Sequence, residues 1–210
     1  MDGGAKFAPH LIEEVYNLED ALVVAGFLNS FIRHADVVKI ANLAQIVNVI
    51  APILTRGDEL LIQSIFYPFE MFSRRREGIS LRTVVAGPTY EAKTHGQAKF
   101  IDASAILDGD RLHVFVTNRS PNESATVQVR ARSPRPYADR DIVALESAEH
   151  LTGPDAKAAN SFEQPDVVQA RPFTEVKIAQ GVASIELGPL SVAALTFELQ
   201  RTTAYSGGKP

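Results

Sequence analysis

Two side-chain amides stand where a long apolar run ends. Val37–Pro52 reads VVKIANLAQIVNVIAP. Val37, Val38, Ile40, Ala41, Leu43 and Ala44 are nearly continuous, and Gln45 and Asn48 follow among Ile46, Val47 and Val49. A polar amide in such surroundings must find hydrogen-bond partners or cost stability. Two readings of Gln45 stay open. It ties down a neighbouring loop, or it hydrogen-bonds a polyhydroxylated ligand at the C-terminal end of a strand, where α/β folds bind ligands. Asn42 and Asn48 read as loop structure.

Other chemistry is sparse. The adjacent carboxylates Glu13 and Glu14 precede the first helix and read as solvated charges, as do Glu59 and Glu70. His10, His34, His95, His113 and His150 are scattered without the close spacing of a metal-ligand set. The absence of Cys excludes disulfides, thiolate metal sites and a Cys nucleophile. There is no G-x-S-x-G, Walker A loop, dinucleotide glycine fingerprint or H-E-x-x-H. No metal site or cofactor is therefore expected within this chain. Asn118-Arg119-Ser120 and Asn122-Glu123-Ser124 match the glycosylation pattern, which is short and frequent by chance.

The composition sets wider bounds. A length of 210 residues suits one large or two small domains, and 45% hydrophobic with 22% charged residues is ordinary for a globular protein. A formal charge of -4 and a pI near 5.7 argue against nucleic acid or an anionic membrane as partner. Met1–Lys6 carries no signal-peptide pattern, and the apolar run Ala21–Leu28 is far short of a membrane span. A cytoplasmic protein is expected. The lack of Trp weakens the case for a free-standing sugar-binding module.

These residues must be positioned by elements of two kinds. Phe7–Tyr16 reads as an extended lead-in. Asn17 caps a helix with Asp20 in the capping-box position, and Leu18, Leu22, Ala25, Gly26 and Ile32 share one face. Ala21, Val24, Leu28 and Phe31 widen that face, which predicts contact on more than one side. The run Val37–Ala44 reads as a parallel strand buried on both faces. Helix followed by buried strand is half of a βαβ unit and needs a preceding parallel strand, which Phe7–Tyr16 is too polar to supply. The strand is thus expected to be the last of a barrel whose other strands lie outside this chain. A second helix is predicted from Pro68 to the Arg74–Arg76 run, with Gly78 past its end and the three Arg on a solvated face as dipole partners. Leu60–Tyr67 is either extended or helical.

From Ile79 the pattern changes to short alternating runs split by turns: Ile79–Val85, Phe100–Leu107, Leu112–Thr117, Ala125–Ala131, Ile142–Leu145, Val176–Ile178, Val182–Leu187 and Val192–Leu199. Asp108-Gly109-Asp110 reads as a tight hairpin. Regular short strands predict an antiparallel sandwich. Leu151–Gln164 reads as a long surface loop and Thr202–Pro210 as a flexible tail.

The stretch PHLIEEVYNLEDALVVAGFLNSFIRHADVVKIANLAQIVNVIAPILT, followed by QSIFYPFEMFS, closely resembles the C-terminal part of family 51 α-L-arabinofuranosidases. The YNLEDAL, HAD, LAQ-VNVIAPI and YPF blocks carry the likeness, which continues more weakly to about Leu199. The resemblance implies an α/β plus all-β fold: the last βα portion of a (β/α)8 barrel (residues 1–78), then an antiparallel β-sandwich accessory domain (79–201). Asn17–Ala35 resembles the seventh barrel helix, Val37–Ala44 the eighth strand and Pro68–Arg76 the eighth helix. The match at Gln45 implies a substrate-binding amide that contacts the arabinofuranose. Family members hydrolyse terminal α-L-arabinofuranosyl groups with retention, using two Glu on barrel strands, and no Glu here matches either motif. The expectation is a C-terminal segment of an exo-acting enzyme, with the catalytic glutamates upstream of this sequence. Its partners would be an arabinofuranosyl saccharide, the rest of the barrel or a companion chain, and further copies in a homo-oligomer. The alternative is a non-catalytic interaction or assembly module with a helical docking arm.

Overall fold

The computed structural model describes residues 13–94, 96–132 and 139–201. The expectations for Phe7–Ile12, His10, His95 and the tail Thr202–Pro210 lie outside them.

Helix α1 (Leu18–Arg33) begins at a complete capping box. Asn17 Oδ1 accepts from Asp20 N at 3.2 Å, and Asp20 Oδ2 accepts from Asn17 N at 2.9 Å. Two helix-start donors are satisfied at once. The hairpin β1 (Ile53–Arg56) and β2 (Glu59–Ile62) turns through Gly57-Asp58. Leu60–Tyr67 is therefore extended as far as Ile62 and helical from Phe66, because helix α2 spans Phe66–Ser73. Pro68 sits in its first turn, where a missing N–H costs no helical bond.

The remaining strands are β3 (Ile79–Leu81), β4 (Thr89–Ala92), β5 (Gly96–Lys99), β6 (Ile101–Asp108), β7 (Arg111–Asn118), β8 (Ala125–Val129), β9 (Arg140–Thr152), β10 (Gln169–Pro172), β11 (Val176–Ala179), β12 (Val182–Leu187) and β13 (Ser191–Arg201). A six-stranded antiparallel sheet has the order β10-β9-β13-β7-β6-β3, and a three-stranded sheet the order β11-β12-β8. Strands β4 and β5 form a separate hairpin. The β6–β7 hairpin closes through the two residues Gly109-Asp110, with Gly109 at φ 60.

Alternation along β7 and β13 divides the interior into two cores. Phe115, Val192 and Ala194 join Leu18, Ala21, Leu22, Ala25, Leu28, Met71 and Phe72 from the two helices. Val114, Val116, Ala193, Leu195 and Phe197 face Ala183, Ile185 and Leu187 of the three-stranded sheet. The six-stranded sheet is thus the middle of three layers, and its central strand is buried from Ser191 to Phe197. Phe72 stacks on Phe115 with ring centroids 4.1 Å apart. Such a contact adds about 1 kcal/mol beyond its area.

Three expectations change. Val37–Ala44 is not a strand: Val37 ends a turn, and Val38–Leu43 join no ladder. A strand is defined by its neighbours, and among the described residues none lies beside this run. The Leu151–Gln164 stretch is a loop from Gly153 on, as expected, but it is not confined to the surface. It starts inside β9 and packs Ala158 and Asn160 onto the start of α1, where Leu18 N and Glu19 N donate to Ala158 O and Ala156 O, each at 2.9 Å.

The third change concerns the Arg run. Arg75 is 6% exposed rather than solvated. Its guanidinium donates to Glu149 Oε2 (2.8 Å), Met71 O (3.1 Å), Thr196 Oγ1 (3.2 Å) and Ser147 Oγ (3.3 Å). Arg74 joins the same carboxylate through Glu149 Oε1 at 2.9 Å. Position just past the helix decides this: Arg75 follows the C-cap Arg74 and lies four residues after the buried Met71, whose carbonyl it reaches. Gly78, at φ +118, lets the chain leave α2 against Leu107, whose carbonyl oxygen a Cβ would meet at 2.3 Å.

One buried and one half-buried imidazole, His113 and His150, make stability depend on pH. His113 Nδ1 lies 3.0 Å from Thr196 Oγ1, and its pKa is lowered by burial first and by Arg75 second. That of His150 is lowered by burial and then Arg171. Both bind protons less well when folded. Their contribution is therefore complete above the ordinary value of 6.5 and is lost as pH falls through the window below it. Thermal melts from about pH 7.5 to about pH 5.5 will show a falling Tm, and His113→Gln will show a smaller fall. Glu149→Ala leaves the Arg75 charge buried without its carboxylate and will cost about 3 kcal/mol in urea unfolding.

Candidate functional site

The turn after the apolar run is clamped from several sides. Tyr16 Oη donates to Ile50 O at 3.0 Å. Gln63, 1% exposed, accepts from Tyr16 N at 3.0 Å, and its Nε2 donates to Ala51 O at 2.7 Å and Glu14 O at 3.3 Å. Glu14 N donates to Val49 O at 3.1 Å. Asn48 Oδ1 accepts from Thr55 N at 2.8 Å, its Nδ2 donates to Thr55 Oγ1 at 3.0 Å, and its backbone N donates to Ile53 O at 2.8 Å. Asn48 is thus the loop-tying amide that the sequence suggested.

The clamp holds an uncommon backbone. Gln45, Asn48 and Val49 have φ of 53, 61 and 65. Asn tolerates the left-handed region, but a β-branched residue there is strained, by about 1–3 kcal/mol, and persists only when its surroundings fix it. Gln45 is exposed, and its side chain makes no hydrogen bond with the described residues. Its amide is left with both donor and acceptor capacity. Such a group can bind and orient a ligand, but it can neither attack nor protonate a bond.

Large apolar side chains near Gln45 in the chain are exposed. Val37, Ile40 and Ile46 are 72%, 76% and 70% exposed. Along α1, Val23 and Phe27 are exposed, and Phe27 stacks on Phe31 at 6.4 Å. The other side of α1 is fixed to β6 by polar groups. Ser104 Oγ donates to Asn29 Oδ1 at 2.6 Å, Asn29 Nδ2 donates to Asp102 Oδ2 at 3.1 Å, and Arg33 Nη1 donates to Asp102 Oδ1 at 2.9 Å.

Ionisation contributes little at the turn. Burial raises the Tyr16 pKa, with Glu14 and Asp20 adding to it, so the phenol stays a donor. Glu13 and Glu14 are exposed. Among the described residues no group of three or more His, Cys, Asp or Glu is placed to hold a metal ion.

The model of the α-L-arabinofuranosidase C-terminal domain matches residues 2–191. The chain belongs to this family. An intracellular exo-α-(1→5)-L-arabinofuranosidase of Streptomyces lividans is 35% identical over 188 residues, which cover 88% of this chain and 27% of that enzyme. The exo-α-(1→6)-L-arabinofuranosidase of Bifidobacterium longum is 33% identical over 198 residues, covering 92% and 37%. A solved family 51 α-L-arabinofuranosidase from Bifidobacterium longum superposes with a TM-score of 0.80 at 28% identity, over 90% of this chain and 37% of that one. The chain spans about a third of the length of these relatives.

Within this arabinofuranosidase C-terminal domain, the residues that fix the turn and α1 were not singled out from sequence. Gln63, Asn29, Asp102 and Asn160 each carry several hydrogen bonds. Asn160 binds Ile62 O and Val168 O through Nδ2 and accepts from Val168 N. Their common signal is an amide or acid set inside an apolar run, as in LLIQSIFY and GFLNSFI. The Asn118 glycosylation pattern is structural, because Asn118 is buried and donates to Glu123 O and Gly188 O, each at 2.9 Å.

Asn48→Ala removes the Thr55 bonds and replaces a residue that tolerates positive φ with one that favours it less, so urea unfolding will show a loss of about 2 kcal/mol. Asn48→Gly, which accepts that backbone, will recover roughly 1 kcal/mol of it.

Proposed function

We propose that this chain supplies the C-terminal part of an exo-acting, retaining α-L-arabinofuranosidase that removes terminal α-L-arabinofuranosyl groups from arabinose-containing saccharides. The carrying observation is the two-sided apolar character of α1 beside the exposed Val37–Ile46 segment. One face of the helix packs on the chain's own sheet, and the other meets water. A barrel covers such a face. In this reading residues 1–78 complete a (β/α)8 barrel, with α1 as its seventh helix, Val37–Ala44 as its eighth strand and α2 as its eighth helix. Residues 79–201 form the accessory sandwich, and 202–210 a flexible tail.

Gln45 then stands at the C-terminal end of the eighth strand, at the barrel mouth, and hydrogen-bonds the arabinofuranose. The turn that follows it, Asn48–Ala51, is clamped to residues on both sides, which suits a group that must orient a ring. The resemblance to the family implies that the nucleophile and the acid/base are two glutamates on other barrel strands, and retaining enzymes hold such a pair of carboxyls about 5–5.5 Å apart. The barrel strands come from polypeptide other than these 210 residues. Names of relatives that include the word intracellular support a cytoplasmic setting. The exposed apolar face supports assembly with that polypeptide and into a homo-oligomer.

The test is turnover of an aryl α-L-arabinofuranoside. The purified chain will show none, and robust turnover would place the catalytic acids within it. In a polypeptide that also carries the barrel, Gln45→Ala will lower kcat/KM by roughly 10- to 100-fold, the loss of one or two substrate hydrogen bonds.

A further inference from the structure

Five successive carbonyls downstream of Gln45 each accept a hydrogen bond. Val49 O takes it from Glu14 N at 3.1 Å, Ile50 O from Tyr16 Oη at 3.0 Å and Ala51 O from Gln63 Nε2 at 2.7 Å. Pro52 O takes it from Gln63 N and Ile53 O from Asn48 N, each at 2.8 Å. None of the five bonds lies within a helix or a strand ladder. Gln63 supplies two of them. Its Nε2 also donates to Glu14 O at 3.3 Å, and its Oε1 accepts from Tyr16 N at 3.0 Å. The next residue, Ser64, donates through Oγ to Asn17 O at 2.6 Å, at the cap of α1. One side chain therefore ties the turn to the lead-in, and its neighbour ties the lead-in to the start of the helix.

Gln63 is 1% exposed within the run LLIQSIFY. An apolar residue of its size would be buried there at less cost. What the amide adds is geometry, because a buried polar group with its bonds made allows one arrangement of the segments it joins.

That geometry bears on Gln45. The Gln45 side chain makes no hydrogen bond with the described residues, so its backbone decides where the amide stands. Upstream, Val38–Leu43 join no ladder among the described residues. Downstream, the first fixed point is Val47, which bridges Ile53 two residues after Gln45. Gln45 itself is at φ 53, a conformation that a non-glycine residue keeps only when its surroundings hold it. We propose that Gln63 is a positioning residue for the Gln45 amide, acting through the Ala51 and Pro52 carbonyls, with Tyr16 in a lesser part through Ile50. This role rests on the reading of Gln45 as the amide that orients the arabinofuranose. Gln63 is buried and acts without touching the sugar.

The experiment is a double-mutant cycle in a polypeptide that also carries the barrel, assayed on an aryl α-L-arabinofuranoside. Gln63→Met keeps the volume and removes the amide. It will lower kcat/KM about tenfold, since misplacing a binding group by about 1 Å can cost on the order of 100-fold. In the Gln45→Ala background the same change will cost less than about twofold, because the group it places is gone. Tyr16→Phe removes only the bond to Ile50 O and will lower kcat/KM about threefold, again with little further loss once Gln45 is Ala. It carries the test if Gln63→Met does not fold. A merely structural role would lower Tm alike in both backgrounds and multiply the two losses. A second readout needs no turnover: in the ¹⁵N-labelled chain, either variant will shift or broaden the amide signals of Gln45 and Ile46 together with that of Ala51. Multiplied losses, or Gln45 and Ile46 signals that do not move, would overturn the role of Gln63 and leave the reading of Gln45 standing. An unchanged kcat/KM in Gln45→Ala would overturn both.

Discussion

Helix α1 is apolar on two sides, and the chain's own sheet covers one of them. Leu18, Ala21, Leu22, Ala25 and Leu28 are buried against the six-stranded sheet and α2. Val23, Phe27 and Phe31 face outward. Each large side chain moved from water to a packed interface is worth about 2 kcal/mol, so the outward row is a standing drive toward association. The covered side is not held by apolar contact alone. Asn29, Ser104, Asp102 and Arg33 form a hydrogen-bonded chain between α1 and β6, which fixes the rotation of the helix about its axis. That rotation decides where His34 leaves the helix, and therefore where Val37–Asn48 must run.

The short helix α2 is anchored by a different means. Eight residues are too few to be stable alone. Met71 and Phe72 contribute apolar burial, and Arg75 contributes charge-assisted bonds to Glu149, Ser147 and Thr196 on two sheet strands. Burying a guanidinium carries a desolvation cost that the carboxylate offsets only with good geometry. What the arrangement gives is placement: Arg75 can meet Glu149 and Thr196 together in one register. His113 shares Thr196 with Arg75, so protonating the imidazole puts a second positive charge beside the first. The same contacts that seat α2 make its seat sensitive to acid.

Much of the sheet was legible because both halves of its pattern are local. Strands β6, β7 and β13 alternate between two buried faces and β12 between a buried and a partly exposed one, and Asp108-Gly109-Asp110 marks the tight turn from β6 to β7. Strand β9 was read over four residues and runs for thirteen. Its later half, Glu146–Glu149, carries polar groups that face Arg75 and Arg111, partners that only the fold supplies. The hairpins β1–β2 and β4–β5 are short and mostly exposed, so no apolar period announces them. Three consecutive Arg look alike in sequence, and only burial separates Arg75 from its neighbours. At the candidate site, the polar residues in the apolar run were visible, and the role of Asn48 in the loop followed from its surroundings. The left-handed backbone at Val49 was not legible, since nothing about a β-branched residue suggests it.

Val37–Ala44 is where local and long-range preferences part. Its β-branched and apolar residues match a strand covered on both faces, yet its side chains are largely exposed and no ladder forms. Propensity for a strand expresses fit to a pleated, half-buried surface rather than a property of the isolated backbone. A run this apolar gains nothing from water, and natural sequences are locally consistent with the structure they serve. The mismatch is therefore informative in itself. The residues are suited to neighbours on both sides, and the turn that follows is fixed at Asn48, Val49, Ile50 and Ala51 while Val38–Leu43 join no ladder among the described residues. An apolar run with strand character and no such partner, leading into a turn tied this firmly, is what links the Gln45 amide and the barrel in the reading proposed above.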